Sequence, residues 1–581
     1  MISAPEVSKE TVIKILEEIA VLLELVGENQ FKSRAYQKAA RNLEKLDTDL
    51  ISLVNENKLS EVEGIGEALN KKITELIHTG KLAYYESLKN SIPPGHLEML
   101  KIHGLGPKKI HALYKQLGIK TVGELEYACQ ENRLIDLKGF GKKTQDGILA
   151  GIEKLKRYKE RRLYAEVAAE AQPLLKALQE NENVRQISIA GSLRRGVETV
   201  KDIDIVASSP HAEKLADYFA GLPLLDAVSG KGSTKVSVTL LSGINADLRI
   251  MSDAEFPHAL LHFTGSKEHN TALRGRAKAM GLKINEYGLW KGETNIACRS
   301  EEEIFSRLGL AYIPPELRED MGEIEAAEQG RLPLLVDEED ICGLFHIHSN
   351  FSDGVDTLES MALTAKGMGL QYVGISDHSQ SAYYAGGLKT AAIKKQRSLI
   401  DELNKKYAPF HIFQGIESDI LPEGSLDYSD EVLAGFDFVI AAVHSHFNMA
   451  GEEMTRRIKT ALHNPYTTML AHPTGRLLLA REPYAVDMLG VIDTAAQYGK
   501  IIELNANPHR LDLDWRNCLY ARKKGVKISI NPDAHQSAGL ADVSFGVKIA
   551  RKGWLEKKNC FNCLSLEEMK AYLRNGQEAR T

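Results

Sequence analysis

Three aspartates stand where β-strands would bring their carboxylates together. Asp202 and Asp204 lie in the segment Lys-Asp-Ile-Asp-Ile-Val, and residues two apart on a strand share one face. Asp247 follows a second alternating stretch, Lys235–Leu240, in the segment Asn-Ala-Asp-Leu-Arg-Ile. Carboxylates this close repel one another unless cations lie between them, and hard oxygen ligands suit Mg²⁺ or Mn²⁺. The pattern predicts a two-metal site for phosphoryl transfer.

A glycine–serine turn precedes the first two aspartates. Residues 187–190 predict a strand that ends at Gly191 and Ser192, and Arg195 follows in the same segment. Such a turn can offer backbone N–H groups, a hydroxyl and a guanidinium to a phosphate. The alternative for an isolated Asp-x-Asp pair is a solvated strand edge. The turn before the pair and the third aspartate after it favour the metal site.

A second set of metal-ligand types stands at the ends of apolar runs in the C-terminal part. The runs alternate with helical stretches, which predicts parallel βα units whose strand ends open on one face of a barrel. A single strand-end histidine is more often a satisfied buried residue than a ligand, but six strand ends all carry such residues. Imidazole with carboxylate suits Mn²⁺, Zn²⁺ or Fe. The residues are His346, His348, Asp353, His378, Glu417, His444, His472, Asp533 and His535.

An apolar-x-Gly-apolar-Gly repeat occurs three times in the N-terminal part, each time before a predicted helix. Its glycine pairs are Gly64 and Gly66, Gly104 and Gly106, and Gly139 and Gly141. Glycines allow a tight turn between two helices, and the second helix can then offer N–H groups to a phosphate. This is the helix-hairpin-helix pattern, which binds the DNA backbone without reading sequence. Plain turn glycines beside solvated lysines are the alternative, and three copies with a basic flank disfavour it.

Composition describes an ordinary globular protein of 581 residues with a net charge of −6, enough for about four domains. Any nucleic-acid binding must therefore come from local patches. The chain begins with no signal-peptide pattern and contains no long apolar run, so we expect a cytoplasmic protein without a membrane span. Scattered cysteines fit a reducing compartment, and the single Cys560-x-x-Cys563 pair is interpreted as incidental. Without a heptad seam, we expect a monomer.

The order of motifs in the first half is specific. Gly-Ser-x-Arg-Arg-Gly, Asp-x-Asp and Ala-Asp-Leu-Arg are followed by Phe263-Thr264-Gly265-Ser266, Asn270, Arg274 and Ile-Asn-Glu-Tyr-Gly. Behind hairpin repeats, this order resembles the X family of DNA polymerases over roughly residues 1–318. The resemblance implies a nucleotidyltransferase palm with a thumb, and a DNA-directed polymerase that fills short gaps during base excision repair.

The resemblance also implies roles for individual residues. Asp202, Asp204 and Asp247 correspond to the catalytic carboxylates that bind Mg²⁺ or Mn²⁺. The nucleotide-binding residues correspond to Gly191, Ser192, Arg195, Phe263, Gly265, Asn270 and Arg274. Lys72 aligns with a lysine that forms a Schiff base with an abasic sugar, and Tyr36 with its supporting tyrosine. Ala68 stands where a lysine usually binds the 5′-phosphate, so an ordinary phosphate-binding lysine remains the alternative for Lys72.

The motifs of the second half are His-x-His, Ser-Asp-His, Ile-Glu-Ser, Val-His-Ser, Ala-His-Pro and Asp-Ala-His. They resemble the PHP (polymerase and histidinol phosphatase) family over roughly residues 340–575. The resemblance implies a distorted seven-stranded barrel with a trinuclear site, in which the nine strand-end residues are the ligands and His446 is a neighbour. A PHP domain behind an X-family polymerase resembles the bacterial and archaeal PolX architecture, and this resemblance implies a 3′-5′ exonuclease, usually Mn²⁺-dependent, and activity at abasic sites and on 3′-phosphates.

We therefore expect a multidomain α+β and α/β chain. The predicted parts are a small helical domain (1–88), a helical domain with two hairpin motifs (89–155), a palm (156–256), a thumb (257–318), a linker (319–339) and a PHP metallo-hydrolase barrel (340–575). The expected partners are gapped or primer–template DNA and dNTPs. Two other functions remain open: a PHP phosphoesterase that hairpin motifs target to DNA, and a repair scaffold with little catalysis.

Overall fold

The computed structural model describes residues 7–44, 46, 50–102, 104–135, 137–156 and 160–578. The chain divides into two compact units, Met1–Lys156 and Arg157–Thr581. His103, in the second glycine motif, lies outside the described residues. Among the helices of the described ranges, none combines the length and the apolar character that crossing a bilayer requires.

The first unit is helical throughout its described residues. Its first helix begins after Ser8, whose hydroxyl accepts a hydrogen bond from the Thr11 N–H, and buries one apolar face. Two hydrophobic cores form, one around Leu16 and Ile73, the other around Ile110 and Phe140. The helices are α1 (Lys9–Leu25), α2 (Gln30–Glu44), α3 (Leu50–Asn55), α4 (Glu67–Thr79), α5 (Ala83–Asn90), α6 (Pro94–Met99), α7 (Pro107–Leu117), α8 (Val122–Gln130) and α9 (Lys142–Lys156), with a 3₁₀ turn at Leu59–Glu61.

Left-handed glycines precede three of these helices. Gly64, Gly104 and Gly139 have φ angles of 84°, 83° and 91°, a region that a residue with a Cβ atom enters only at a cost. The helices α4, α7 and α9 follow within a few residues. The predicted turn before a helix is confirmed at all three repeats.

A five-stranded sheet opens the second unit. Its strand order is β2-β4-β7-β6-β5, in which β4 and β7 are parallel and the other neighbours antiparallel. Ile203, Ile205 and Leu248 face the packed helices, because alternate residues of these strands point into one core. The elements are β1 (Arg162–Leu163), α10 (Tyr164–Gln179), β2 (Gln186–Ile189), α11 (Gly191–Arg194), β3 (Thr199–Val200), β4 (Asp202–Ser208), α12 (Ala212–Ala220), β5 (Leu225–Lys231), β6 (Lys235–Leu240) and β7 (Asn245–Met251).

A smaller α+β region follows the sheet. It contains α13 (Phe256–Thr264), α14 (Lys267–Ala279), β8 (Lys283–Asn285), β9 (Gly288–Lys291), β10 (Thr294–Ile296), α15 (Glu301–Arg307) and α16 (Glu323–Glu328), and its three strands form an antiparallel sheet. The segment 319–339, expected to be a linker, includes α16, whose Ile324 and Ala327 pack in the same core as Leu273 and Phe305. The buried His269 Nδ1 lies 2.7 Å from Glu323 Oε1, which ties this segment to α14.

The remaining chain forms a barrel of seven parallel strands in sequential order. The His348 N–H donates to the Ala534 carbonyl at 2.9 Å, and this contact closes the ring after the last strand. The elements are β11 (Gly343–Ile347), α17 (Leu358–Gly367), β12 (Tyr372–Ile375), α18 (Thr390–Tyr407), β13 (His411–Asp419), α19 (Asp430–Leu433), β14 (Phe438–Ala442), α20 (Gly451–His463), β15 (Met469–Leu470), α21 (Met488–Gln497), β16 (Ile501–Asn505), α22 (Trp515–Lys524), β17 (Ile528–Asn531), α23 (Val543–Lys552) and α24 (Leu566–Glu578).

Aromatic rings fill the interior of this barrel. Phe345 of β11 and Phe438 of β14 lie 4.9 Å apart although their strands are not neighbours, so both rings point inward. Phe413 and Phe561 pack in the same cluster. Residues that follow the strands at their C-terminal ends therefore lie above a closed apolar floor. The predicted combination of helical domains, an α+β region and a (β/α)₇ barrel is confirmed.

Candidate active sites

The three aspartates of the first site lie side by side on the five-stranded sheet. Asp204 of β4 is in register with Asp247 of β7, and Asp202 shares its face two residues away. The intervening Ile203 is fully buried on the other face. The sequence pattern therefore places three carboxylates together at one edge of a rigid sheet, as predicted.

Mutual repulsion and burial dominate the electrostatics of this group. Burial and the charges of Asp202 and Asp247 raise the pKa of Asp204 to about 6, and burial with the charge of Asp247 raises the pKa of Asp202. The Lys235 Nζ lies 2.7 Å from Asp247 Oδ2 and offsets part of the negative charge. Three oxygen donors whose joint ionisation is disfavoured fit divalent cations such as Mg²⁺ or Mn²⁺, which reverse that penalty.

Gly191 approaches this carboxylate group so closely that no side chain fits. A Cβ atom at Gly191 would lie 2.1 Å from Asp204 Oδ2, and the residue has a φ angle of +62°. The preceding Ala190 N–H donates to the Asp204 carbonyl at 2.8 Å. The glycine therefore allows the turn that carries Ser192 to lie directly beside the aspartates.

Two arginines after this turn have different surroundings. Arg194 forms a bidentate pair with Glu301, with nitrogen–oxygen distances of 3.1 and 2.6 Å. The Arg195 Nε lies 3.0 Å from Glu319 Oε1, and its Nη1 donates to the Thr264 carbonyl at 2.5 Å. These acidic partners were not found by sequence reasoning, because nothing in the spacing links residues more than a hundred positions apart.

The four candidate residues of the smaller α+β region lie around the end of α13. A Cβ atom at Gly265 would lie 3.1 Å from Arg195 Nη1, so this glycine faces the arginine of the turn. The Arg249 guanidinium lies 4.6 Å from the centre of the Phe263 ring. Asn270 Nδ2 donates to the His262 carbonyl at 2.7 Å, and Arg274 lines a pocket with Asn270. Phe263 and Gly265 thus lie beside Arg249 of β7 and Arg195 of the turn, whereas Asn270 and Arg274 lie together at a separate pocket of this region.

The nine strand-end residues of the second set converge at the C-terminal end of the barrel. Their ligand atoms fall into groups whose members all lie within 4.8 Å of one another. Glu417 is central to the arrangement, since its Oε1 lies 3.2 Å from His444 Nε2 and 2.9 Å from His472 Nε2. The groups are His348, Asp353, His378 and His535; His346, Glu417 and His472; His346, His348 and Asp533; and His378, Glu417 and His444.

Several buried nitrogen and oxygen atoms of this ring have no hydrogen-bond partner among the described residues. They include His346 Nε2, both nitrogens of His348, Asp353 Oδ2 and His378 Nε2. A buried polar atom without a partner costs free energy, so such a concentration requires an explanation. Divalent ions held between imidazole and carboxylate groups supply it, and the donor set fits Mn²⁺, Zn²⁺ or Fe.

Burial and neighbouring charges shift the pKa values of the ring residues in both directions. Burial lowers the pKa of His346, but the carboxylates of Asp533, Glu503 and Glu417 outweigh it and raise this pKa well above the usual value. Burial likewise raises the pKa of Asp353, but the neighbouring imidazoles of His378 and His535 bring it well below its usual value. Burial lowers the pKa of His348 to about 3, so this imidazole is free of a second proton and can bind an ion directly.

Backbone strain marks the same positions. His346, His472 and Asp533 have φ angles of 55°, 23° and 52°, which residues with a side chain rarely adopt. Strained backbone of this kind persists where a site needs a particular side-chain direction. Here it occurs at three candidate ligands, His346 within β11 and His472 and Asp533 just after β15 and β17.

Several residues that hydrogen-bond to the ring side chains were not predicted from the sequence. Glu503 Oε1 lies 2.6 Å from His346 Nδ1, Asp419 Oδ1 lies 2.7 Å from His444 Nδ1, and Asn505 Nδ2 donates to Asp533 Oδ2 at 3.0 Å. Such partners orient the imidazoles and fix their tautomers. Glu503 and Asn505 lie in β16, whose sequence is Ile-Ile-Glu-Leu-Asn. Polar side chains within this apolar run are the sequence feature that could have indicated supporting residues for the ring.

Lys72 lies in an aromatic setting in the first unit. Its Nζ donates to the Tyr36 hydroxyl at 2.5 Å and lies 3.6 Å from the centre of the Tyr84 ring. Burial lowers the pKa of Lys72, and the nearby charge of Lys32 lowers it further. A lysine that acts as a nucleophile needs this direction of shift.

The second glycine of each hairpin motif is not required for packing within this unit; these glycines are Gly66, Gly106 and Gly141. A Cβ atom at any of them would meet nothing within 4 Å, and none has a left-handed φ angle. The fold of this unit would therefore accept a side chain at these positions. Glycine there leaves room for the backbone of another molecule.

Four family models match parts of the chain. They are a helix-hairpin-helix domain (residues 8–82), a SAM-like helix-hairpin-helix tandem (97–154), the DNA polymerase beta thumb (259–319) and the PHP domain (345–507). DNA polymerase lambda of Rattus norvegicus is 24% identical over 341 residues, which is 52% of this chain and 56% of that protein. A probable phosphatase of Thermoanaerobacter sp. (strain X514) is 27% identical over 246 residues, 39% of this chain and 93% of that protein.

One relative matches nearly the whole chain. The DNA polymerase/3′-5′ exonuclease PolX of Bacillus subtilis (strain 168) is 40% identical over 570 residues, covering 97% of this chain and 99% of that protein. At that coverage the match spans the hairpin domains, the sheet, the thumb and the barrel. This chain therefore belongs to the PolX family, in which an X-family DNA polymerase is followed by a C-terminal PHP domain.

Proposed function

We propose that this protein is a DNA polymerase that fills short gaps during base excision repair and removes nucleotides from 3′ ends with its PHP domain. The observation that carries the proposal is the presence, in one chain, of two complete and separate ligand sets. Three carboxylates lie on the palm sheet, and nine imidazole or carboxylate side chains lie on the barrel. A scaffold without catalysis would have no need for either set.

In the polymerase site, Asp202, Asp204 and Asp247 would hold two Mg²⁺ or Mn²⁺ ions. Such ions stabilise the charge that develops on a transferred phosphoryl group and lower the pKa of an attacking hydroxyl. Ser192 and Arg195 would bind the triphosphate of the dNTP through the hydroxyl and the guanidinium. Phe263, Gly265, Asn270 and Arg274, which correspond to residues around the nascent base pair in the resemblance, would surround the new base pair.

In the PHP site, the nine ring residues would hold up to three ions, Mn²⁺ in our proposal, with Zn²⁺ or Fe as alternatives. Such ions polarise a phosphodiester and activate water for attack on phosphorus. Glu503 and Asp419 would keep His346 and His444 oriented toward the ions through their Nδ1 atoms. His446, which follows β14, is a candidate for contact with the substrate.

The hairpin glycines support DNA as the substrate. Gly64, Gly104 and Gly139 shape the turns, and the open space at Gly66, Gly106 and Gly141 would admit a phosphodiester backbone. We propose that the first hairpin contacts the 5′-phosphate side of a gap and the other two the flanking duplex. We further propose a monomeric, cytoplasmic enzyme, a location that six free cysteines favour.

A labelled primer annealed across a short gap tests this function. With Mn²⁺ and dNTPs the primer should lengthen by the size of the gap, and without dNTPs it should shorten from its 3′ end. A PHP phosphoesterase that is only targeted to DNA would hydrolyse small phosphoesters and would not extend the primer. A non-catalytic scaffold would retard the DNA in a gel and leave the primer unchanged.

A second activity, removal of a 5′-deoxyribose phosphate, is favoured by the setting of Lys72. Replacing Lys72 with alanine is expected to abolish borohydride-dependent trapping of the protein on incised abasic DNA. The reason is that a Schiff base joins the lysine nitrogen to the sugar C1′ with loss of water, and reduction makes that bond permanent. Covalent complexes are measured on a denaturing gel.

Lys71 provides the matched control for this experiment. It is the adjacent lysine, exposed and paired with Glu67 at 2.7 Å, so Lys71→Ala should trap like the parent protein. Undiminished trapping of Lys72→Ala would show that another amine reacts. Lys72 would then be a phosphate-binding lysine only.

A further inference from the structure

The barrel contacts the palm through helix α23. The rings of Phe545, on this helix, and Tyr164, at the start of α10, lie 6.0 Å apart in an edge-to-face arrangement. Arg551 Nε lies 2.7 Å from Glu316 Oε1, near the end of the thumb. Helix α23 thus packs beside the loop that carries Arg195.

The last residue of this helix, Lys552, reaches a carboxylate that Arg195 also contacts. Lys552 Nζ forms an ion pair with Glu319 Oε1, the same oxygen that lies 3.0 Å from Arg195 Nε. Lys552 Nζ also donates to the Arg195 carbonyl at 3.4 Å. The Lys552 side chain is 1% exposed, Glu319 is 17% exposed and Arg195 is 14% exposed. Solvent therefore screens this group of charges only weakly.

Charge balance explains the arrangement. Arg195 and Glu319 alone would form a neutral pair, and the carboxylate would cancel the guanidinium charge at the position where a triphosphate is expected. Lys552 adds a second cation, so the group of three carries one net positive charge. A buried lysine is costly without a partner, and without this role Lys552 would serve only the contact between the palm and the barrel.

We propose that Lys552, supplied by the PHP domain, neutralises Glu319 and so leaves the charge of Arg195 available to bind the triphosphate of an incoming dNTP. Lys552 is a positioning residue, since it acts through Glu319 and Arg195 and does not reach the nucleotide. The inference rests on the proposed polymerase function. Through Lys552, the PHP domain would contribute to the nucleotide pocket whether or not the hydrolytic site of the PHP domain is in use.

Steady-state extension of a gapped primer by the full-length protein tests this proposal. Lys552→Met removes the charge at nearly constant volume and should raise the KM for dNTPs about tenfold, with a much smaller change in kcat. Lys552→Arg should restore the parental KM. Degradation of the primer without dNTPs should proceed at the parental rate in both variants, because Lys552 is not among the ring residues.

Two further variants separate this charge effect from a merely structural one. Arg551→Met removes the neighbouring ion pair with Glu316 on the same helix and should leave the KM for dNTPs unchanged. The double variant Lys552→Met with Glu319→Gln restores one net positive charge and should bring the KM back toward the parental value. A structural role predicts that the double variant is worse than the single one.

The outcomes distinguish this inference from the proposed function. If the parent protein does not extend primers, the polymerase function itself is wrong. If the parent extends primers and Lys552→Met has the parental KM, or if Arg551→Met raises KM equally, the role assigned to Lys552 is overturned.

Discussion

Asp204→Asn is expected to lower the rate of primer extension by about a thousandfold, because one of the three carboxylates proposed to hold the divalent ions loses its charge. Asparagine has nearly the shape of aspartate, so the close contact with Gly191 and the strand register with Asp247 should persist. The measurement is single-turnover incorporation of one nucleotide on gapped DNA with Mg²⁺ or Mn²⁺.

Asp253→Asn is the control for this change. It makes the same chemical substitution just after β7, at a residue whose carboxylate pairs with Arg185 at 2.8 Å, and should extend primers like the parent. Exonuclease activity should be unaffected in both variants, since the PHP ligands are intact. Extension by Asp204→Asn within a few-fold of the parent rate would remove Asp204 from the catalytic site.

Loss of 3′ degradation with retained primer extension is expected when His346 and His348 are both replaced by alanine. Both imidazoles are fully buried in the ring and are shared between ligand groups, so their loss should lower 3′ degradation by about a thousandfold. Primer extension should remain, because the palm carboxylates are on a separate sheet. The loss is measured as the rate at which label is released from a 3′-labelled single strand in the absence of dNTPs.

Removing two histidines from elsewhere in the barrel domain controls for general damage. His411 begins β13 at the N-terminal end of the strands and His463 ends α20, so His411→Ala with His463→Ala should keep the exonuclease. Thermal unfolding of all variants identifies any that fail to fold. Loss of extension and degradation together in folded His346→Ala, His348→Ala protein would mean that the two activities share one site.

The palm site was predictable because its chemistry is local in sequence. Asp202 and Asp204 are two residues apart, and alternation along a strand is enough to place them on one face. The barrel ligands were predictable for a related reason, since parallel strands present all their C-terminal ends on one side. In both cases a short motif and a topological rule together fix where the side chain lies.

Partners that come from distant parts of the chain could not be predicted in this way. Glu319 and Lys552 meet Arg195 only after the palm, the segment beyond the thumb and the last helices of the barrel have packed together. Glu503 approaches His346 across the barrel from another strand. The acidic segment 319–339 looked like a linker because charged residues are usually solvated, but the buried ion pairs of Glu319 and Glu323 hold it against its neighbours.

Anomalous scattering from crystals of the full-length protein grown with Mn²⁺ tests the central claim, that one chain carries two separate centres for divalent ions. Anomalous density is expected between Asp202, Asp204 and Asp247, and separately for up to three ions within the ring around Glu417, at ligand distances of about 2.0–2.6 Å. Crystals with no anomalous density at either place, or with Mn²⁺ bound only elsewhere on the protein, would contradict it.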